Sequence, residues 1–118
     1  MSPFVTFDEL VQKLQSIPVD EERKRSEGYL EFVLSSRHLM HLYPVLEKYF
    51  GPPFKPPGVL PTKEAEAFTK SYGGILKHQT LYFFKRDGLA NCAMIWPWGD
   101  NSRVTVKVAQ GVVREGSG

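Results

Sequence analysis

Three histidines, one cysteine and a run of three acids are the residues of this 118-residue chain whose types and spacing could do chemistry. His38 and His41 stand three apart on a predicted helix, a spacing that can place both imidazoles on one face, and His78 or Cys92 could complete a tetrahedral metal site. No carboxylate or second cysteine accompanies the pair at ligand spacing, so it reads as two surface histidines, and neither a metal nor a cofactor is expected. Cys92 sits mid-strand between Asn91 and Ala93 with no neighbouring base, which suits packing better than nucleophilic attack. Asp20, Glu21 and Glu22 are consecutive rather than convergent, the pattern of a solvated surface and not of an acid–base pair. Gly73-Gly74 precedes a strand rather than opening a helix, the reverse of a phosphate-binding loop. No catalytic residue is assigned, and the chain reads as a binding protein rather than an enzyme.

The bulk composition sets the scale on which such residues must be held. With 42% hydrophobic and 24% charged residues, the chain matches an ordinary globular protein, and its length suits one domain, expected over residues 1–113, with a disordered tail at 114–118. The net charge of +2 is small but unevenly placed. Residues 8–31 carry seven acids against four bases, whereas residues 75–110 carry Lys77, Lys85, Arg86, Arg103 and Lys107 against Asp87 and Asp100. A lone Cys92 excludes an internal disulfide and fits a reducing compartment. The N-terminal "MSPFVTFDELVQ" has no basic leader before an apolar block, and no apolar run approaches the roughly 20 residues of a membrane span. A cytoplasmic protein without membrane contact is therefore expected.

Thr6 to Glu9 has the spacing of a capping box, and Phe7, Leu10, Val11, Leu14 and Ile17 recur at helical intervals up to Pro18. "VDEERKRSEG" mixes both charge signs and predicts a short solvated helix or loop ending at Gly28. "YLEFVLSS" alternates Leu30, Phe32 and Leu34 against polar or smaller neighbours and predicts a strand, with a helix running on from residue 20 as the rival. A second helix follows Ser36, with Pro44 expected to kink or break it. "GPPFKPPGVLP" is a stiff proline-rich connector whose Pro53 and Pro56 have the spacing of a ligand for aromatic grooves, although Phe54 and Val59 can instead pin it to its own domain. Thr62 opens a third helix that stops at Gly73-Gly74. From Ile75 onward the pattern is a β-meander, with strands to Arg86, from Leu89 to about Pro97, and over "RVTVKVA". The fold class is α+β: an antiparallel sheet of three or four strands with about three helices packed mainly on one face.

A two-residue turn at Asp87-Gly88 pairs Phe84 with Asn91, Tyr82 with Ala93 and Thr80 with Ile95, and a four-residue loop at Gly99–Ser102 pairs Ile95 with Val106 and Met94 with Lys107. One face then holds Tyr82, Phe84, Leu89, Ala93, Ile95, Val104, Val106 and Val108, a core for helices. The other holds Leu81, Phe83, Cys92, Met94 and Trp96 within a border of Lys77, Lys85, Arg103 and Lys107 that contains no acid. Trp96-Pro97-Trp98 ends the second strand with both indoles on this face, where they could anchor a partner.

Three covers suit this second face. Its own N-terminal helix or the proline loop could fold over it, with the lysines reaching past. A twin subunit or another protein could bury it, since an apolar centre with a polar rim is the usual anatomy of an interface. A polyanion could stack bases on the rings while the lysines track phosphates, loosely as in RNA-recognition modules, although the aromatic-glycine signature of those modules is absent. The expectation is a binding or assembly domain, forming a homodimer or holding another protein through Leu81, Phe83, Lys85, Met94, Trp96, Trp98, Arg103 and Lys107. Nucleic-acid or anionic-ligand binding on the same residues is the alternative.

Overall fold

A computed structural model of the chain describes residues 6–86 and 88–112; Asp87 and the expected tail at 114–118 lie outside the described residues. Thr6 caps the first helix, α1 (Phe7–Gln15), its hydroxyl accepting from the Glu9 amide while the Glu9 carboxylate accepts from the Thr6 amide. This is the reciprocal box that the sequence predicts. The chain then forms β1 (Glu21–Ser26) and β2 (Tyr29–Ser35), joined through Glu27-Gly28. Gly28 has φ +76, and a Cβ there would lie 2.9 Å from the Gln110 carbonyl oxygen, so both the tight turn and the close approach of Gln110 require glycine.

A 3-10 turn, Ser36–His38, leads into α2 (Leu39–Phe50), which runs through Pro44 as one helix. Leu42, Leu46 and Tyr49 form its buried stripe. Thr62 caps α3 (Lys63–Thr69) by accepting from the Ala65 amide, and a 3-10 turn, Lys70–Tyr72, ends at Gly73 with φ +104. The last strands are β3 (Thr80–Arg86), β4 (Leu89–Pro97) and β5 (Arg103–Val112). β3 starts later than Ile75 because Leu76 to Gln79 make a local turn, in which the Leu76 amide donates to Gln79 Oε1 and the Gln79 amide to the Leu76 carbonyl.

The α+β class holds, but the antiparallel sheet has five strands, in the order β1-β2-β5-β4-β3, where three or four were expected. The extra strand is β1, from the segment read as solvated helix or loop. All six of its residues are exposed, so it lacks the apolar alternation that marks a half-buried strand. The turn-based registers are those expected: Thr80 pairs with Ile95, Tyr82 with Ala93, Phe84 with Asn91, Ile95 with Val106 and Met94 with Lys107.

Two of the three helices lie on one face, as expected, and the third covers the other. α1 and α2 pack over Leu30, Phe32, Leu34, Tyr82, Ala93, Ile95, Val104, Val106 and Val108. α3 and its 3-10 extension bring Ala65, Phe68 and Tyr72 onto Leu81, Cys92, Met94 and Ala109 on the opposite face. The sheet is thus sandwiched between two apolar clusters, each fully buried large side chain contributing about 1.5 to 3 kcal/mol.

Candidate functional site: the second face of the sheet and the loop at its edge

The alternation of β3 and β4 sends Leu81, Phe83, Cys92, Met94 and Trp96 to one side, as the register that pairs Arg86 with Leu89 dictates. The centre of that side is closed. Leu81, Cys92 and Met94 are wholly buried beneath α3, and Phe68 packs on Phe83 with ring centroids 5.1 Å apart. Leu81 and Met94 therefore touch the chain's own elements and cannot meet a partner. Part of the cover is the proline loop, as one of the three covers supposed; the rest is α3, whereas the N-terminal helix packs on the other face.

Trp96, Trp98, Lys85, Arg103 and Lys107 are only partly covered, and each lies against a local neighbour. Trp96 lies against Gly73, and Lys107 sits over its indole with Nζ 3.6 Å from the ring centroid while donating to the Tyr72 carbonyl at 2.8 Å. Burial pushes the Lys107 pKa down, and the nearby Glu31 carboxylate opposes the shift. Glu31 is directly opposite Lys107 across β2 and β5. The border is thus not free of acid: placing β2 beside β5 brings in a carboxylate that the three-stranded meander lacks.

Trp98 donates from Nε1 to the Thr105 hydroxyl at 3.0 Å, with the guanidinium carbons of Arg103 and Arg23 at 5.4 and 5.9 Å from its ring. Arg103 in turn donates from Nε to Asp20 at 2.8 Å, and Lys85 pairs with Glu64 at 2.8 Å. Of the predicted contact residues, Trp96, Trp98, Arg103 and Lys107 share one end of the face, whereas Phe83 and Lys85 lie on the edge strand β3 beside α3.

The residue that sequence reasoning missed is Lys55. It is only 2% exposed, and its ammonium donates to the carbonyls of Pro56, Lys77 and Gln79, three acceptors for its three protons. Burial lowers its pKa. Its backbone also exchanges two hydrogen bonds with Leu81, so the proline loop adds a short bridge to the open edge of β3. A lysine among uncharged prolines carries no signal that it turns inward.

With the loop fixed in this way, Phe54, Val59 and Leu60 remain 42%, 49% and 71% exposed. Phe54 reaches back to Phe83 at 5.2 Å, as expected of a residue that pins the loop to its own domain, while Val59 is half exposed. Beside them, Pro57, Gly58, Lys77 and His78 line an open groove of about 560 Å³.

Nothing gathers around the residues singled out for chemistry. The His38 and His41 rings stand 5.9 Å apart, and among the described residues no three His, Cys, Asp or Glu side chains come together as a metal group. Burial pushes the Cys92 thiol up to about 12, far from a reactive thiolate. No helix among the described residues is long and apolar enough to cross a membrane. Comparison with protein-family models, curated proteins and solved structures finds no match to the chain.

Proposed function

We propose that this protein is a non-enzymatic binding domain that holds another protein on the apolar residues of its proline-rich loop, Phe54, Val59 and Leu60. The observation that carries this reading is the Lys55 cage. Desolvating an ammonium is costly, and here it immobilises a loop whose Val59 and Leu60 side chains stay exposed while Phe54 packs on Phe83. A ledge held rigid before binding has little conformational entropy left to lose, which favours association. The binding or assembly role foreseen for the centre of the sheet thus moves to the loop beside it.

Anionic-ligand binding is the second reading, favoured by the two arginines around Trp98. It is the weaker one, because Asp20, Glu21 and Glu31 stand beside Arg103, Arg23 and Lys107 and offset their charge.

A photo-crosslinking amino acid placed at Leu60, with a control at exposed Lys48 on α2, tests the loop in cells. A discrete adduct at position 60 that is absent at 48 is expected. Equal labelling at both positions, or none at 60, overturns the reading. Labelled oligonucleotide titrated at low salt tests the alternative, and no binding at tens of micromolar protein removes it.

A further inference from the structure

The outer edge of the sheet at β1 is unpaired among the described residues, and its sequence is self-complementary. β1 is the terminal strand of the order β1-β2-β5-β4-β3, and all six of its residues are exposed. Glu27-Gly28 makes a two-residue turn, so Ser26 and Tyr29 form a hydrogen-bonded pair; Arg25, one residue further in, directs its N–H and C=O away from β2. An edge of this kind is a template for a further strand.

Charge on an edge strand is ordinarily a guard against pairing, and the irregularity between Glu22 and Lys24 acts in the same sense. What separates β1 from a guarded edge is the order of its charges. Asp20, Glu21 and Glu22 are followed directly by Arg23, Lys24 and Arg25, three acids and then three bases. An antiparallel copy related by a two-fold axis between residues 22 and 23 places Glu21 opposite Lys24 and Glu22 opposite Arg23, twice over, while Asp20, just before β1, keeps its amide on the Val33 carbonyl and its carboxylate on Ser35 and Arg103. A parallel copy in register would set acid on acid and base on base. The bulge falls at the junction of the two blocks, next to the axis, and leaves a regular run on either side.

We infer that β1 pairs with β1 of a second copy of this chain, joining two five-stranded sheets into one across a two-fold axis. Backbone hydrogen bonds and the opposed charge blocks together supply the association, and the charge blocks also select antiparallel register and this partner. The inference stands apart from the loop reading, because the loop bridges β3 at the opposite edge of the sheet. A dimer through β1 leaves both loops free at its two ends.

Exposed ion pairs are screened by salt, so this dimer is expected to form at tens of micromolar in low salt and to dissociate as ionic strength rises. An apolar dimer would persist. Two variants decide the geometry: E21K/E22K and R23E/K24E. Each alone is expected to be monomeric by light scattering, because a like-charged block meets itself. Mixed in equal amounts, they restore every opposite-charge pair, and the mixture is expected to return to twice the monomer mass. The recovery on mixing cannot come from variants that fail to fold. A wild-type chain that stays monomeric at high micromolar concentration in low salt overturns the inference, as do variants that dimerise alone or a mixture that stays monomeric.

Discussion

The Lys107 ammonium stands 3.6 Å from the centre of the Trp96 ring, and Gly73 presses on the same indole so closely that a Cβ there would lie 2.6 Å from Trp96 Cη2. The turn that ends the third helix is thereby locked to the end of β4. Gly74 also has a positive φ, +83, but open space around it. Gly73→Ala is expected to cost about 2 to 4 kcal/mol, from backbone strain plus overpacking, and Gly74→Ala only the strain of about 1 to 2. Chemical unfolding of the two variants checks the order; equal losses would mean that Trp96 gives way freely.

The Lys55 cage makes a second, separate demand. Lys55→Met keeps the aliphatic stem but leaves the Pro56, Lys77 and Gln79 carbonyls without their donor. A loss of about 2 kcal/mol is expected, together with faster proteolysis within residues 56–61 under native conditions. Unchanged cleavage would mean that the prolines alone hold the loop.

Where the sequence was legible, a local signal and the tertiary fold agreed. The Asp87-Gly88 signal in the sequence implies a register in which Tyr82 and Ile95 share one face and Leu81 and Met94 the other, and that register is present. β1 was illegible because its position, paired on one side and solvated on both faces, demands no apolar residue. Thr62 and Gly73-Gly74 mark α3 as a helix in the sequence, but a helix of seven residues does not say which side of a sheet it covers. The rim charges could be named without their partners, since Glu31 meets Lys107 only after β2 inserts beside β5.

Asp20 ties β1 to that arrangement, accepting from the Ser35 hydroxyl and from Arg103 Nε. The Ser35 hydrogen bond first, and then Arg103, hold its carboxyl below the usual value of 3.8. A folded pKa below the unfolded one stabilises the fold above about pH 4, and that contribution disappears as pH falls through the folded pKa. Asp20→Asn is therefore expected to be less stable than the wild type at neutral pH and to converge with it in acid. A gap in unfolding midpoint that stays constant from pH 7 to 2 would show that the carboxylate's charge is immaterial.

Cys92 reports on the closure of the second face. Buried under α3 with its thiol pushed up to about 12, it is expected to resist a thiol-specific disulfide reagent at pH 8 and to react fully once the chain is unfolded. The rate in mild denaturant should follow opening of the fold. Prompt reaction of the native protein would mean that α3 lifts from the sheet readily, which would expose the face that Leu81 and Met94 line.

If the loop's apolar residues are there for a partner, removing them should leave the fold almost untouched. Val59→Ser and Leu60→Ser change side chains that are about half and more than two-thirds exposed, and each is expected to move stability by less than about 0.5 kcal/mol. Leu81→Ala, on the second face of the sheet and wholly buried, is expected to cost about 2 to 5 kcal/mol through the cavity it leaves. Urea unfolding of the three variants compares them directly. A loss at Leu60 approaching that at Leu81 would make the ledge part of the core and remove the physical ground for calling it a binding surface. A loss confined to Leu81 separates the residues that hold this sheet together from those left over to meet another chain.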